Sequence, residues 1–221
     1  MKPRIKIAVD AAMILILLLL MAYERVGQAA HEWLGAGIFL LYFLHHFLNR
    51  GWHKNLLRGK YTPLRTMQTL LALLLCAAAL GSMWSGIVLS RHVFAFLPIS
   101  GGRSAARVAH MVCGYWGFVL MSIHFGFHWG IMLNFPEKRK WFCRLAVLLA
   151  AGYGLIAFWR RALGTYMLLQ SHFVFFDFEE PLALFFADHI AVMALFAAAG
   201  YYLAKALKYL GTMKSSSNHG R

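Results

Sequence analysis

The chain has 221 residues, 61% of them hydrophobic and only 14% charged, with a mean hydropathy of +0.60. A water-soluble domain carries about 25% charged residues, so this chain calls for an apolar solvent, which excludes a soluble enzyme and a disordered chain. Its 22 Lys and Arg against 8 Asp and Glu give a formal charge of +14, which basic residues flanking membrane spans explain without nucleic acid.

A membrane-crossing helix needs about 20 largely apolar residues, and six segments qualify: 7–26, 30–48, 67–90, 105–133, 142–159 and 182–208. They are continuous Leu/Ala/Phe runs without the alternation of a barrel. The predicted fold is therefore all-α, an integral membrane bundle of six transmembrane helices in one domain over 1–213. A Ser/Asn/Gly-rich tail over 214–221 reads as a frayed end. The first span opens like a signal peptide, with Lys2, Arg4 and Lys6 before it and Gln28-Ala29-Ala30 after it. Asp10 interrupts that run and the next span follows at once, so it is expected to remain as a span. Cys76, Cys113 and Cys143 form neither a CxxC motif nor an even disulfide set.

Sixteen of the 22 basic residues fall at the N-terminus, in 49–66, in 135–144 and at the C-terminal end. The opposite side carries Arg25, Arg91, Arg103, Arg107, Arg160 and Arg161, together with Glu24, Glu32, Asp177, Glu179 and Glu180. The positive-inside rule then predicts both termini in the cytoplasm.

The second and fourth spans share a pattern. One reads His31-x3-Gly35-x9-His45-x3-Asn49, the other His110-x3-Gly114-x9-His124-x3-His128, each first His preceded by Ala. Fourteen residues at about 100° each return to within roughly 40° of one face after a climb of about 21 Å. Each helix thus presents an imidazole near either membrane surface. The two spans run parallel, so His31 is expected opposite His110 on the outer side and His45 opposite His124 on the inner side. Two stacked imidazole pairs inside a helix bundle suit two non-covalent b-type haems. Gly35 and Gly114, one turn from the outer ligands, and Gly117, midway between His110 and His124, would let a macrocycle approach the backbone. In this alignment His46 matches Phe125, which favours His45 as the ligand. His128 matches Asn49, as a hydrogen-bonding position. His46 or His128 taking a ligand's place stays an alternative. His53, His172 and His219 fall in connections or the tail and read as solvated.

Arg103 and Arg107 precede His110 on its helix and defy the positive-inside bias, and guanidinium contacts to haem propionates would explain them. Arg50 and Lys54 are weaker candidates for the same part on the inner side. The stretch Phe173–Pro181 interleaves aromatics with acids, which suits either a docking or quinone surface or plain interfacial anchoring. Asp188-His189, just inside the last span, is either a proton-handling pair or a structural hydrogen bond. There is no GxGxxG for nicotinamide and no CxxCH for c-type haem, so donor and acceptor lie on other molecules.

The motifs Gly59-Lys60-Tyr61-Thr62-Pro63-Leu64-Arg65, Ser85-Gly86-Ile87, Leu97-Pro98-Ile99-Ser100-Gly101-Gly102, His124-Phe-Gly-Phe-His128-Trp129 and His172–Pro181, with the two His repeats, resemble the flavinylation-associated cytochrome family. These are bacterial di-haem membrane cytochromes, similar in haem arrangement to cytochrome b561 and ferric-reductase-type proteins. The resemblance implies His31, His45, His110 and His124 as axial ligands, a bacterial cytoplasmic (inner) membrane, and an extracytoplasmic FMN-binding partner. It leaves open whether a quinone binds and whether the chain completes a quinol- or metal-reductase cycle itself. The rival reading is a transporter or assembly factor using the histidines for metal or transient haem.

Overall fold

The computed structural model describes residues 3–132 and 137–219, with side chains over 4–129 and 141–212. Within these residues every regular element is a helix: α1 (Pro3–Met21), α2 (Tyr23–Val26), α3 (Gln28–Leu48), α4 (Arg50–Asn55), α5 (Pro63–Leu89), α6 (Arg103–Met132), α7 (Glu137–Arg160), α8 (Leu163–Met167) and α9 (Leu182–His219). The all-α expectation therefore holds. Four helical stretches are long and apolar enough to cross a membrane: Pro63–Leu89, Arg103–Trp129, Trp141–Arg160 and Leu182–Thr212. They carry large apolar side chains on their surfaces, Leu73, Leu149 and Trp159 among them, as lipid-facing helices do and water-facing ones do not. The chain has the make-up of a multi-pass membrane protein.

α1 and α3 fall short of that standard for an identifiable reason. Arg4, Lys6 and Asp10 sit in α1, and His31, Glu32, His45 and His46 sit in α3. Other boundaries also shift. The first span, expected to run unbroken over 7–26, stops at Met21. Buried Ala22 leaves helical geometry there (φ −95°, ψ 40°) before α2 begins. Gly27 then turns the chain into α3 at φ +79°, a backbone region that a side chain would strain. α5 starts four residues earlier than expected, because Thr62 Oγ1 accepts the Arg65 N–H at 3.3 Å and Pro63 takes the first helical position. The expected frayed tail is instead helical as far as His219, continuing α9 without a break, and residues 220–221 lie outside the described residues. The basic residues Lys138, Arg139 and Lys140 have side chains outside the described set.

The chain divides into two compact units. The first takes the residues up to Arg58, Ala77–Trp116 and Thr165–Phe185. Within it α3 packs along α1, joined by two polar rungs: His45 Nδ1 lies 2.7 Å from Asp10 Oδ1, and Lys6 Nζ donates to Asn49 Oδ1 at 3.0 Å. Pairing of 6 with 49 and 10 with 45 makes the two helices antiparallel. The second unit takes Gly59–Cys76, Gly117–Gly164 and the chain from Phe186 onward. Its helices approach at glycines. A Cβ on Gly126 would strike the Ala197 carbonyl, one on Gly154 that of Ala191, and one on Gly200 that of Ile123. Small residues at such crossings gain packing where no hydrophobic drive exists between helices in lipid.

Candidate functional site

The first unit brings together the outer histidines. His31, near the start of α3, and His110, in the first half of α6, have ring centres 5.9 Å apart with planes inclined at 66°. The hydrogen bonds around His110 favour one tautomer. Ser85 Oγ directs its proton to the Gly81 carbonyl at 2.7 Å, while His110 Nδ1 lies 3.0 Å from that hydroxyl oxygen and 3.2 Å from the Ser82 carbonyl. A carbonyl accepts only, so the ring proton sits on Nδ1 and the Nε2 lone pair is free for a ligand. This is how a second shell prepares an imidazole for metal. The α5 backbone at Gly86 lies beside the ring, where a Cβ would be in ordinary contact with Cε1 at 3.6 Å.

His31 is prepared differently. Its Nδ1 is buried and has no hydrogen-bond partner, a condition that costs about 1–3 kcal/mol when nothing compensates it. The Tyr23 ring meets it edge-on with centres 5.0 Å apart. Beside the two rings, Gly35 and Gly114 face open space, with nothing within 4 Å of a Cβ at either position. Among the described residues no group of three or more His, Cys, Asp or Glu converges as an ion site.

Two clamps hold the surroundings of this pair. The carboxylate of Glu32, next to His31, accepts from Ser90 Oγ (2.6 Å) and from the backbone N–H groups of Arg91 (3.0 Å), His92 (2.8 Å) and Val93 (3.0 Å). One side chain thus fixes the chain as it leaves α5. Arg25, on the short α2 that also carries Tyr23, donates to the carbonyls of Asp177 (2.9 Å), Phe178 (3.1 Å) and Glu180 (2.7 Å), with its guanidinium over the Phe176 ring. It pins the acidic, aromatic connection before α9. Neither role is visible in the composition of these segments.

The remaining expected residues are placed as follows. Arg103 donates to the carbonyl of Leu89, the last residue of α5, at 3.4 Å, and Arg107 is exposed. His45 has its Nδ1 on Asp10, and Asn49 Nδ2 stands 3.5 Å from its Nε2, at the outer limit of a hydrogen bond. His46 is engaged with His53, Nδ1 to Nε2 at 2.9 Å. His53 is exposed as expected, but it has this partner rather than water alone. His172 is exposed, and the His219 side chain lies outside the described residues. Asn49 bonds Lys6 and the His45 carbonyl. His124 and His128 belong to the second unit, their ring centres 4.8 Å apart. His45 and His124, expected as the inner pair, fall in different units, as do Gly117 and Gly114.

Asp188 belongs to a closed network of the second unit. It is fully buried and accepts from Tyr153 Oη (2.6 Å), from Arg160 Nη2 and Nε, and from Arg161 Nε (2.8 Å). Consecutive residues of a helix do not share a face. Arg161 nevertheless reaches the same carboxylate as Arg160, because α7 ends at Arg160 and Ala162 turns the chain at φ +49°. Of the two readings of Asp188, the geometry gives the structural one. His189 packs against the Phe118 ring, centres 5.9 Å apart.

Comparison with family models, with curated proteins and with solved structures finds no match to this chain.

Proposed function

We propose that this chain is a multi-pass membrane cytochrome that relays single electrons across a bacterial inner membrane through two bis-histidine b-type haems. The observation that carries the reading is the His31–His110 pair. Imidazole nitrogens at about 2 Å from a shared metal would put opposed ring centres about 6 Å apart, and the observed separation is 5.9 Å. Two imidazoles without a third ligand are too few for a protein-held zinc, which takes four ligands, or three and a water. They would suffice to hold a haem iron, which needs no more than two protein ligands. The open sides of Gly35 and Gly114 fit the same group, and in His31 the unpartnered Nδ1 would be the nitrogen that holds the iron.

Haem b supplies a one-electron iron couple, tuned by its axial ligands and their hydrogen bonds. The chain supplies orientation. Ser82 and Ser85 hold the His110 ring and its tautomer, while Glu32 fixes the segment after α5 beside His31. Arg103 and Arg107 provide cationic charge for propionates at the start of α6. The inner pair, His45 and His124, rests on the fourteen-residue repeat, with Asp10 serving His45 as the Ser82 carbonyl serves His110. The reading includes α1 and α3 as further spans, six in all, with both termini cytoplasmic. It takes from the family resemblance an extracytoplasmic FMN-bearing acceptor and a cytoplasmic or quinol donor.

The test is haem quantification by pyridine haemochrome on the purified chain, with a dithionite-reduced spectrum. Wild type should be red and hold two haems per chain, and His31→Ala and His110→Ala should each remove about one. A colourless preparation from haem-replete cells, or unchanged haem in both variants, would overturn the reading.

A further inference from the structure

At the end of α1 and α3 opposite to His31, the first unit contains a cavity of about 240 Å³ lined by Lys6, Phe47, Leu48, Arg50 and Gly51. Among the described residues its lining offers two cations and no carboxylate. Both cations are held in place. Lys6 Nζ is tied to Asn49 Oδ1 at 3.0 Å, and the Arg50 guanidinium stands over the Phe47 ring, 5.2 Å from its centre. Phe47 itself is 58% exposed, so an apolar surface borders the cationic one. An ammonium with donors to spare, a guanidinium able to bind two oxygens at once, and an adjoining apolar ring complement a phosphate that carries a greasy body. Lys6 has no part in the histidine chemistry, whose ligands have Asp10, Ser82 and Ser85 as partners, and Arg50, a propionate candidate by its sequence position, stands instead on this cavity with its guanidinium over Phe47.

We infer that this cavity binds the phosphate of an anionic phospholipid such as phosphatidylglycerol, at the membrane surface where α1 begins and α3 ends. Basic pockets beside membrane helices bind anionic headgroups, and each cation at such a surface contributes about a fivefold gain in affinity. The placement at a membrane surface rests on the span arrangement proposed above, but the binding itself does not depend on haem. The bound phosphate would lie one helical turn from the His45–Asp10 rung, because Lys6 precedes Asp10, and Asn49 follows His45, by four residues.

The experiment is native mass spectrometry of the full chain in detergent, titrated with phosphatidylglycerol or with phosphatidylcholine. Wild type, Lys6→Gln, Arg50→Gln and Lys54→Gln are compared, with haem content measured on the same samples. Wild type should retain phosphatidylglycerol over phosphatidylcholine. Lys6→Gln and Arg50→Gln should each weaken retention about fivefold, while Lys54→Gln, which removes a neighbouring charge outside the lining, should leave it unchanged. An inorganic phosphate arm separates the two sources of the anion. Lipid retained against phosphate assigns the cavity to the headgroup, and full displacement by phosphate overturns the lipid assignment. Equal weakening in Lys54→Gln overturns the site in favour of diffuse attraction. Loss of haem in Lys6→Gln and Arg50→Gln with lipid retention unchanged also overturns it, and gives the cations to the cofactor. A preparation that holds lipid as described but no haem would sink the relay alone.

Discussion

The half-buried His31–His110 pair and the buried Asp188 network are two polar clusters built on opposite plans. Around Asp188 the bonding is closed: two guanidiniums and a phenol converge on one carboxylate that has no exposure. Around the histidines it is open: His31 Nδ1 lacks a partner and His110 keeps Nε2 free behind a fully engaged Nδ1. A protein that needed only packing there would have closed both, since an unmet buried polar atom is among the costlier defects a fold tolerates. Closure marks an element of structure, and the openness at the histidines is what the proposed haem would use; an unpartnered atom alone does not mark a ligand, since Arg25 Nε, in a structural clamp, is equally unpartnered.

That contrast breaks first at Asp188. Replacing it by Ala leaves two guanidiniums facing each other, a change that costs about 3–5 kcal/mol in a buried pair. The loss should fall near the lower end, because Arg160 is 44% exposed and can recover water. Denaturant titration of the detergent-solubilised chain would measure it, and a loss below about 1 kcal/mol would remove the network from the structural category. Gly154→Ala should come next, at about 1–3 kcal/mol, since its Cβ would meet the Ala191 backbone, which cannot step aside as a side chain would. The same titration checks it. Wild-type stability would mean that the crossing is looser than the contact at Gly154 requires.

A smaller and more local effect belongs to Glu32. The Glu32 carboxylate accepts five hydrogen bonds, the one from Gln28 Nε2 included, and Glu32→Gln puts a neutral carbonyl in place of one oxygen and an NH2 group, which cannot accept, in place of the other. Bonds to charged groups are worth about 1.5–3 kcal/mol against about 1 for neutral ones, and water reaching the half-buried side chain makes up most of the difference, so the expected net loss is about 1–2 kcal/mol. It should appear as faster amide exchange at Arg91, His92 and Val93 while α3 stays protected. Uniform loss of protection would show that Glu32 supports the whole unit rather than one connection.

These clusters also show how far the sequence could be read. Helix positions were legible because apolar run length is a local property, and α5, α6 and α7 begin or end within a few residues of expectation. The outer pair was legible because a repeat of fourteen residues encodes a helix face. What stayed hidden is pairing across distance. Asp10 reads as a flaw in an apolar run until the fold sets it against His45, 35 residues on. Glu32 reads as one of several outer acids until it caps a segment nearly 60 residues away. Arg160 and Arg161 read as exceptions to a charge rule until Asp188 accounts for both. The break at Ala22 was hidden for another reason, since no proline, glycine or cap marks it in the sequence.

The finest separation of open from closed lies in two glycines given different tasks. Gly154 is filled on its open side by backbone, whereas Gly114 faces nothing within 4 Å. Gly114→Leu should therefore leave the apoprotein's stability within about 1 kcal/mol of wild type, with any change in the stabilising direction, because a helical glycine is the costlier residue by about 0.5–1 kcal/mol. The same leucine would occupy the space that the proposed macrocycle needs, one turn from His110. Haem content should then fall by about one per chain, although neither histidine has been touched. Equal losses of haem and stability would mean that Gly114 is packed like Gly154, and a full complement of haem in a stable variant would move the cofactor away from this face of α6.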